Sequence, residues 1–251
     1  MTGSVTNIWR HPIKGIGVEA IDHVTLQAGR TMPWDRIWAV MHEASKFDVS
    51  SPEWMSKNSF NQGAKTHAFM AIKAVVNEES GQIKLTHPDL PDLTVNPDKD
   101  PAALVAWVKP LVPDNRAQPI GVAKVKGCGM TDQSNPYISI IGKASLADLA
   151  NAAGKPLQQE RFRANIWLDG LNAWEEQSWV GKTIRIGGAT LRVDAPIGRC
   201  VATTANTDTG EVDVDTLAIL QDNWGHKDLG VFAEVISGGE IRLTDKVEVL
   251  Q

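Results

Sequence analysis

The chain has 251 residues, of which 42% are hydrophobic and 22% are charged, and its formal net charge is −5. These values are ordinary for a globular protein with a buried core. The negative charge argues against a general affinity for nucleic acid or anionic membranes, which requires concentrated positive charge. No stretch approaches the about 18 consecutive apolar residues of a membrane helix.

Two features of the sequence predict a reducing, cytoplasmic compartment. The first 17 residues contain no apolar segment of signal-peptide length. The two cysteines, Cys128 and Cys200, do not make a disulfide framework. They also exclude a resident iron–sulfur cluster of the all-cysteine kind, which takes four cysteines. Because the net charge is negative, we expect no nucleic-acid or membrane partner. If the protein catalyses a redox reaction, we expect its electrons to come from another protein, because the chain cannot hold such a cluster.

The first half of the chain consists mainly of short β-like runs separated by glycine and proline. Runs rich in Val, Ile, Thr and aromatic residues predict strands over residues 5–9, 18–27, 36–41, 66–76, 83–86 and 93–95. A short helix is predicted to begin near Pro101, because proline suits the first turn of a helix. Prolines 110 and 113 and the following Asp-Asn pair predict a boundary near residue 115.

The second half continues in the same way. Strands are predicted over residues 137–141, 165–168, 183–186, 190–193, 201–205, 230–236 and 246–250. Helices are predicted over residues 143–152, ending before Gly154, and over residues 217–221. Many short strands with few helices indicate a mainly β, barrel-like architecture. We predict an N-terminal β-barrel-like domain (residues 1–115) packed on a second β-barrel domain (residues 116–251).

The motifs of several common enzyme classes are missing from the sequence. There is no Gly-x-x-x-x-Gly-Lys phosphate loop, and no Gly-x-Gly-x-x-Gly that opens a helix. Gly-x-Ser-x-Gly, His-Glu-x-x-His and Cys-x-x-Cys are missing as well. The missing glycine motifs argue against a phosphate-loop nucleotide site and a dinucleotide-binding site. The other absences argue against a serine hydrolase with the Gly-x-Ser-x-Gly motif and against a structural zinc site.

The most informative segment is residues 196–210, PIGRCVATTANTDTG. Cys200 follows a Pro/Gly turn, and Arg199 stands beside it. A neighbouring cation favours the thiolate, which is both a nucleophile and a soft metal ligand. Most lone cysteines are small buried hydrophobic residues, so Cys200 by itself leaves both interpretations open.

Four motifs resemble, in order, those of the molybdenum cofactor sulfurase C-terminal (MOSC) family, including the amidoxime-reducing component and its bacterial counterparts. Residues 7–14 (NIWRHPIK) resemble the opening strand of the family's N-terminal β-barrel, and residues 35–38 (DRIW) resemble its Asp-Arg-x-Trp motif. Residues 161–166 (RFRANI) resemble its Arg-Phe-Arg-Pro-Asn-Ile, and residues 199–210 resemble its Arg-Cys signature. The resemblance covers almost the entire chain, although His11 and Ala164 replace the family's usual tyrosine and proline.

The resemblance implies that the chain binds the molybdenum cofactor, in which the dithiolene of a phosphate-bearing pterin (molybdopterin) holds the metal. Cys200 matches the catalytic cysteine that is a ligand of the metal. The expected cofactor-binding residues are Lys14, Arg36, Ser134, Asn135, Arg163, Asn165, Gly198 and Arg199. The alternatives are structural ion pairs for the arginines, a turn for residues 134–135 and a local backbone role for Asn165.

The best-studied members of this family reduce N-hydroxylated compounds. By resemblance, we expect a molybdenum-dependent reduction of an N-oxygenated small molecule, with electrons from a ferredoxin- or cytochrome-type partner and its reductase. Two alternatives stay open: a carrier or storage protein for the cofactor, and a sulfur carrier with a persulfide on Cys200. For the proton donor, His11, His67 and Asp208 are candidates by chemistry alone.

Overall fold

The computed structural model describes residues 3–250, and most of its regular structure is β-strand. The strands are β1 (Ser4–Arg10), β2 (Glu19–Ile21), β3 (His23–Leu26), β4 (Ala39–His42), β5 (Lys73–Asn77), β6 (Gln82–His87), β7 (Leu90–Val95), β8 (Pro119–Ala123), β9 (Tyr137–Gly142), β10 (Ile166–Asp169), β11 (Thr183–Ile186), β12 (Ala189–Gly198), β13 (Asp228–Ser237), β14 (Gly239–Arg242) and β15 (Val247–Leu250). The α-helices are α1 (Pro101–Val108), α2 (Lys143–Ala153) and α3 (Thr216–Trp224). The predicted mainly β class with a few short helices is confirmed.

The main sheet has eight strands in the order β15-β11-β12-β13-β9-β10-β1-β2. β9 and β10 are parallel, with Ile140 opposite Ile166, because α2 lies between them in sequence and supplies the crossover that parallel neighbours need. The strand order is open at β15 and β2, so the sheet is not closed into the barrel that we predicted. An isolated bridge between Ser4 and Lys246 links β1 to the turn before β15.

Strand pairing crosses the predicted boundary at residue 115 in both directions. β1 pairs with β10 within the main sheet, and β3 pairs with β14. β8, from beyond the boundary, pairs back with β4. β5, β6 and β7 form a separate three-stranded sheet. Residues 1–2 and 251 of the predicted domain ranges lie outside the described residues, and the division into two domains stays a prediction.

The local sequence explains where the helices begin and end. Asp100 caps α1 by accepting a hydrogen bond from the Ala103 amide at 3.0 Å, and Pro101 occupies the first turn. Asp215 caps α3 in the same way. α2 ends at Gly154, whose φ of 66° is in the left-handed region, as the glycine predicted.

The central strands separate the core from the opposite face of the sheet. Ile138 and Ile140 of β9 and Val231 and Ala233 of β13 are all 0% exposed and belong to the main hydrophobic core. Successive side chains of a strand point to opposite faces. The residues between them, such as Phe232, therefore lie on the other face.

The predicted strand over residues 201–205 is wrong, because residues Val201–Thr204 form a 3₁₀ helix. The hydroxyl of Thr203 donates to the Cys200 carbonyl at 3.0 Å, and the hydroxyl of Thr204 donates to the Val201 carbonyl at 2.7 Å. Such local bonds offer the backbone an alternative to a strand ladder. The β-branched residues that predicted a strand thus stabilise a tight turn directly after Cys200.

Two strands of the first half begin later than predicted, and β8 was not predicted. Residues His67–Ala71 form a 3₁₀ helix ahead of β5. β4 begins at Ala39, since Arg36 has a left-handed φ of 53° that no strand accommodates. β8 contains a proline and a glycine, which weaken the strand pattern, and its pairing with the distant β4 stabilises it.

A buried histidine–carboxylate pair joins the end of β1 to the loop before β4. The side chains of His11 and Asp35 are 0% and 1% exposed, with 3.2 Å between Nδ1 and Oδ1. Burial, together with the charges of Arg163 and Arg36, lowers the pKa of His11 to about 3. The folded protein therefore holds this imidazole neutral at pH values where an unfolded chain protonates it.

We expect the free energy of unfolding to fall as the pH drops from about 6.5 towards 4, because only unfolded His11 takes up a proton in this range. The slope from this residue is limited to about 1.4 kcal/mol per pH unit. The pKa of Asp35 is also lowered, so its own loss begins only below about pH 4. Denaturant unfolding at several pH values checks this expectation. The control is His11→Asn, which keeps an N–H donor towards Asp35 but does not titrate; an equal slope in both proteins would contradict the assignment.

Candidate functional site

A cavity of about 450 Å³ lies where segments of the first half meet the ends of β10 and β12. Seven of the nine predicted site residues line it: Lys14, Arg36, Arg163, Asn165, Gly198, Arg199 and Cys200. Ser134 and Asn135 do not belong to this wall; both are exposed, and the Asn135 amide donates to the Tyr137 hydroxyl at 2.7 Å. The tertiary fold thus brings together residues that are up to 186 positions apart in the chain.

Cys200 reaches the cavity from the turn between β12 and the 3₁₀ helix. Its backbone is extended, with φ of −120° and ψ of 171°, and the residue is a half-buried free cysteine. Its carbonyl accepts hydrogen bonds from the Thr203 amide at 3.1 Å and hydroxyl at 3.0 Å. The turn that carries the sulfur is therefore held by its own neighbours in sequence.

Arg36 and Arg163 lie on left-handed backbone and are bonded to each other. Their φ angles are 53° and 49°, a conformation that is uncommon for residues other than glycine. Arg36 Nη2 donates to the Arg163 carbonyl at 2.9 Å. Arg163 Nη1 donates in turn to the Gly17 carbonyl at 2.9 Å. Side-chain bonds to backbone carbonyls therefore hold both guanidinium groups at the cavity.

Lys14 is a nearly buried cation that joins the first half of the chain to the segment before β9. Its side chain is 4% exposed and forms an ion pair with Asp132. Its ammonium group also donates to the Met130 carbonyl at 2.9 Å. Burial lowers the pKa of Lys14, and the pairing with Asp132 opposes that shift. The Asp132 carboxylate is therefore a local counter-charge for the Lys14 ammonium group.

Arg199 forms part of the wall beside Cys200, and its guanidinium group bonds to backbone. Nε donates to the Leu229 carbonyl at 2.9 Å, and Nη1 donates to the Phe162 carbonyl at 2.9 Å. The guanidinium carbon lies 5.7 Å from the centre of the Phe162 ring, a cation–π arrangement. Arg199 therefore ties three segments together and places a positive charge next to the cysteine.

The cavity has more positive charge than its own carboxylates balance. Within residues 3–250, Arg36 and Lys14 form ion pairs, whereas neither Arg163 nor Arg199 has a carboxylate within 4.0 Å. Burial lowers the pKa of both residues to about 9, and the charge of Arg36 adds to that effect at each. A thiolate on Cys200 acts in the opposite direction on both. The electrostatics of the cavity therefore favour an anionic ligand.

Asn165 has a structural role, although it touches the cavity. Its Oδ1 accepts from the Ser139 hydroxyl at 2.8 Å and from the Ser139 amide at 3.1 Å, and its Nδ2 donates to the Trp9 carbonyl at 3.2 Å. The side chain is 1% exposed. These bonds join β9, β1 and the start of β10, and they satisfy both ends of the amide. Asn165 fits the local role that the sequence left open as its alternative.

Sequence reasoning missed the apolar part of the cavity wall. Tyr137 and Phe232 line it, and their rings stack at 5.2 Å with 19° between the planes. Alternation within the predicted strands could have placed each of them on the face opposite the core. None of the three proton-donor candidates lines the cavity, namely His11, His67 and Asp208.

Comparison with known families finds a match in the second half of the chain. The family model described as "MOSC domain" matches residues 131–248. This segment is therefore similar to a MOSC domain. Of the cavity cations, the matched segment contains Arg161, Arg163 and Arg199, and it also contains Cys200. Lys14 and Arg36 come from the part of the chain before it.

Curated relatives of the chain resemble it over a limited stretch. Mitochondrial amidoxime reducing component 2 from Rattus norvegicus is 38% identical over 76 residues, which is 30% of this chain and 22% of the relative. Mitochondrial amidoxime-reducing component 1 from Mus musculus is 28% identical over 110 residues, or 44% of this chain and 32% of the relative. Molybdenum cofactor sulfurase from Drosophila yakuba is 33% identical over 91 residues, or 33% of this chain and 11% of the relative. The matches thus span at most about a third of these relatives' length.

Among solved structures, the YuaD protein from Bacillus subtilis matches 99% of this chain and 96% of its own, with 14% identity and a TM-score of 0.48. In residues 3–250, no helix has both the length and the apolar character needed to span a membrane.

The loop that follows the 3₁₀ helix Val201–Thr204 contacts the 3₁₀ helix His67–Ala71 at a position that only glycine fits. Gly210 has a φ of +73°, and a Cβ on it would lie 2.6 Å from the Cα of Ala68. The neighbouring atom belongs to backbone, so it has little freedom to move. Gly225 at the end of α3 has a similar φ of +75°, with nothing within 4 Å of such a Cβ.

We expect Gly210→Ala to destabilise the protein more than Gly225→Ala. Both substitutions place a side chain on left-handed backbone, at a cost of roughly 1–2 kcal/mol. Gly210→Ala additionally forces two backbone segments apart, and overpacking of this kind typically costs about 1–3 kcal/mol. Denaturant unfolding of both variants measures the difference. Equal losses of stability would show that the loop is not held against residues 67–71.

Proposed function

We propose that the cavity binds the molybdenum cofactor with Cys200 as a ligand of the metal, and that the protein reduces N-oxygenated small molecules with electrons from an external redox protein. The observation that carries this proposal is the placement of the Cys200 thiol beside Arg163 and Arg199, two half-buried arginines without carboxylate partners within residues 3–250. The names of the curated relatives, amidoxime-reducing components and molybdenum cofactor sulfurase, support the same proposal.

The residues present fit such a cofactor in three respects. The Cys200 thiolate is a soft ligand, which suits a metal that is already bound by other sulfur atoms. Within residues 3–250, no cluster of three or more His, Cys, Asp or Glu offers an alternative metal site. The surplus positive charge suits a phosphate, for which guanidinium groups offer paired donors. The volume of about 450 Å³ is within the usual range for ligand sites. A metal held mainly by its own organic ligand and completed by one protein thiolate matches this donor set.

Each cavity residue then has a distinct task. Cys200 binds the metal through its sulfur. Arg163 and Arg36 bind the anionic part of the cofactor, while Lys14, already paired with Asp132, holds the wall together. Arg199 keeps a positive charge beside the sulfur and joins Leu229 to Phe162 behind it. Asn165 positions Arg163 by fixing the start of β10 against β9 and β1.

The proposed reaction converts an N–OH group to N–H and releases water, which consumes two electrons and two protons. When bound, the cofactor supplies two-electron chemistry that accepts oxygen. The chain has two cysteines, too few for an all-cysteine iron–sulfur cluster beside the metal site. It also lacks a dinucleotide-binding fingerprint. The electrons are therefore proposed to come from a ferredoxin- or cytochrome-type partner.

The decisive test is turnover by protein produced in a host that makes the cofactor. We expect the purified protein to contain stoichiometric molybdenum and pterin, and to reduce an amidoxime with reduced viologen as the electron donor. With NADH, we expect turnover only after partner redox proteins are added. Full loading without turnover on any reductant would contradict the reductase and support the carrier protein, and turnover with NADH alone would reveal a missed nucleotide site.

The two cysteines provide a matched pair of variants for the same assay. Cys200→Ser removes the soft ligand, so activity should be abolished, whereas Cys128→Ser should leave it largely intact. Cys128 lies outside the cavity lining, and burial raises its pKa, as in an unreactive thiol. Equal loss in both variants with unchanged folding would refute the assignment. Extra sulfur mass on Cys200 without metal would instead support the sulfur carrier.

We expect Arg163→Asn to lower cofactor occupancy by weakening the anion site. Asparagine tolerates left-handed backbone, so the substitution removes the charge and the side-chain bonds to the Gly17 and Ile13 carbonyls without adding backbone strain. A charge-assisted hydrogen bond is worth about 1.5–3 kcal/mol, which corresponds to a loss in affinity of roughly tenfold or more. Molybdenum and pterin content per chain is the measurement. The control is Arg185→Ala, an arginine 51% exposed in an ion pair with Glu248; unchanged occupancy in Arg163→Asn would make Arg163 structural.

A further inference from the structure

Three adjacent strands of the main sheet form an apolar wall on one side of the cavity. Phe232 of β13 is paired in register with Ser139 of β9 and with Ala195 of β12. Tyr137 is two residues before Ser139 and therefore shares its face. All four residues line the cavity. Because their strands also carry the main core on the opposite face, this aromatic wall stands on rigid backbone.

The ring of Tyr137 is held in one orientation. It stacks on Phe232 at 5.2 Å with 19° between the planes, and its hydroxyl accepts a hydrogen bond from Asn135 at 2.7 Å. Burial raises its pKa, and the carboxylates of Asp194 and Glu234 add to the rise. The phenol therefore stays neutral and offers a flat apolar surface to whatever enters the cavity.

The two sides of the cavity differ in charge. The cations Arg36, Arg163 and Arg199 line the side around the cysteine turn, whereas the wall of Tyr137 and Phe232 is uncharged. Asp194 and Glu234, which lie near Tyr137, are both paired with Arg192 and do not line the cavity. Asn135, which anchors the Tyr137 hydroxyl, is exposed, so this end of the wall lies towards solvent. An anionic group is favoured at the first side, and a neutral, planar group is favoured at the second.

We propose that Tyr137, backed by Phe232, selects the substrate, and that the site prefers planar aryl substrates over saturated ones of equal size. This inference rests on the proposed function, because it assigns the aromatic wall to the substrate and the cationic side to the cofactor. Stacking on a preorganised ring adds to the burial of apolar area, and an aryl group gains both. A saturated ring of the same carbon count gains only the burial. The expected preference is about three- to tenfold.

The experiment compares an aryl amidoxime with its cyclohexyl analogue, and benzamide with cyclohexanecarboxamide as non-reacting probes. With the purified cofactor-loaded protein, KM should favour the aryl substrate, and the Kd from calorimetric titration should favour benzamide, each by about three- to tenfold. Tyr137→Leu should abolish both preferences, and Tyr137→Phe should retain them. Thermal unfolding of each variant controls for folding.

The outcomes separate the inference from the proposed function. An inactive protein that still prefers benzamide, and loses the preference in Tyr137→Leu, would keep the aromatic wall and remove the reductase. An active protein with no aryl preference, or with the same preference in Tyr137→Leu, would overturn the inference alone. A fall in molybdenum and pterin content in Tyr137→Leu would assign the wall to the cofactor, which also overturns it.

Discussion

The cavity is organised around positive charge that the protein itself does not neutralise. Arg163 and Arg199 are half-buried without carboxylate partners within residues 3–250, and desolvation lowers the pKa of each to about 9. Burying an uncompensated charge costs free energy in any fold. Such an arrangement persists only where other contacts overdetermine it, and the hydrogen bonds from both guanidinium groups to backbone carbonyls are those contacts. A cavity that keeps this charge next to a thiol favours an anionic ligand.

The left-handed backbone at Arg36 and Arg163 is a second energetic cost at the same cavity. Each such residue costs of order 1–3 kcal/mol, and backbone strain of this kind clusters at functional sites. The bond from Arg36 to the Arg163 carbonyl joins the two strained turns. The network of Asn165 with Ser139 and Trp9 fixes the strand that follows Arg163. The hydrogen bonds of Asn165 within the main sheet therefore help to determine where Arg163 lies.

The main sheet serves both sides of the site. One face of β9, β12 and β13 carries the hydrophobic core, and the other face carries the aromatic wall of Tyr137 and Phe232. The cysteine turn follows directly from β12. A rigid sheet thus positions the Cys200 sulfur and the apolar wall with one element, which is how preorganised sites are built on strands rather than on loops alone. The first half of the chain contributes Lys14, Arg36 and Lys57 to the cavity lining.

The sequence alone determined the mainly β class and the three helices, and it indicated most of the residues that the fold brings together in the cavity. Proline, aspartate and glycine specify helix ends through local chemistry, so Asp100, Pro101 and Gly154 could be read directly. The Arg-Cys motif and its resemblance to the MOSC family indicated Cys200 and its cations. Seven of the nine predicted site residues do line one cavity.

Only the tertiary structure decided the open sheet, the pairing of β1 with β10, the structural role of Asn165 and the aromatic wall. These features depend on contacts between residues far apart in the chain, such as the pairing of β4 with β8, and such pairing leaves no local pattern. The turn at residues 201–204 shows the same limit from the other side, because hydroxyl groups that bond to nearby carbonyls overrode a strand-like sequence.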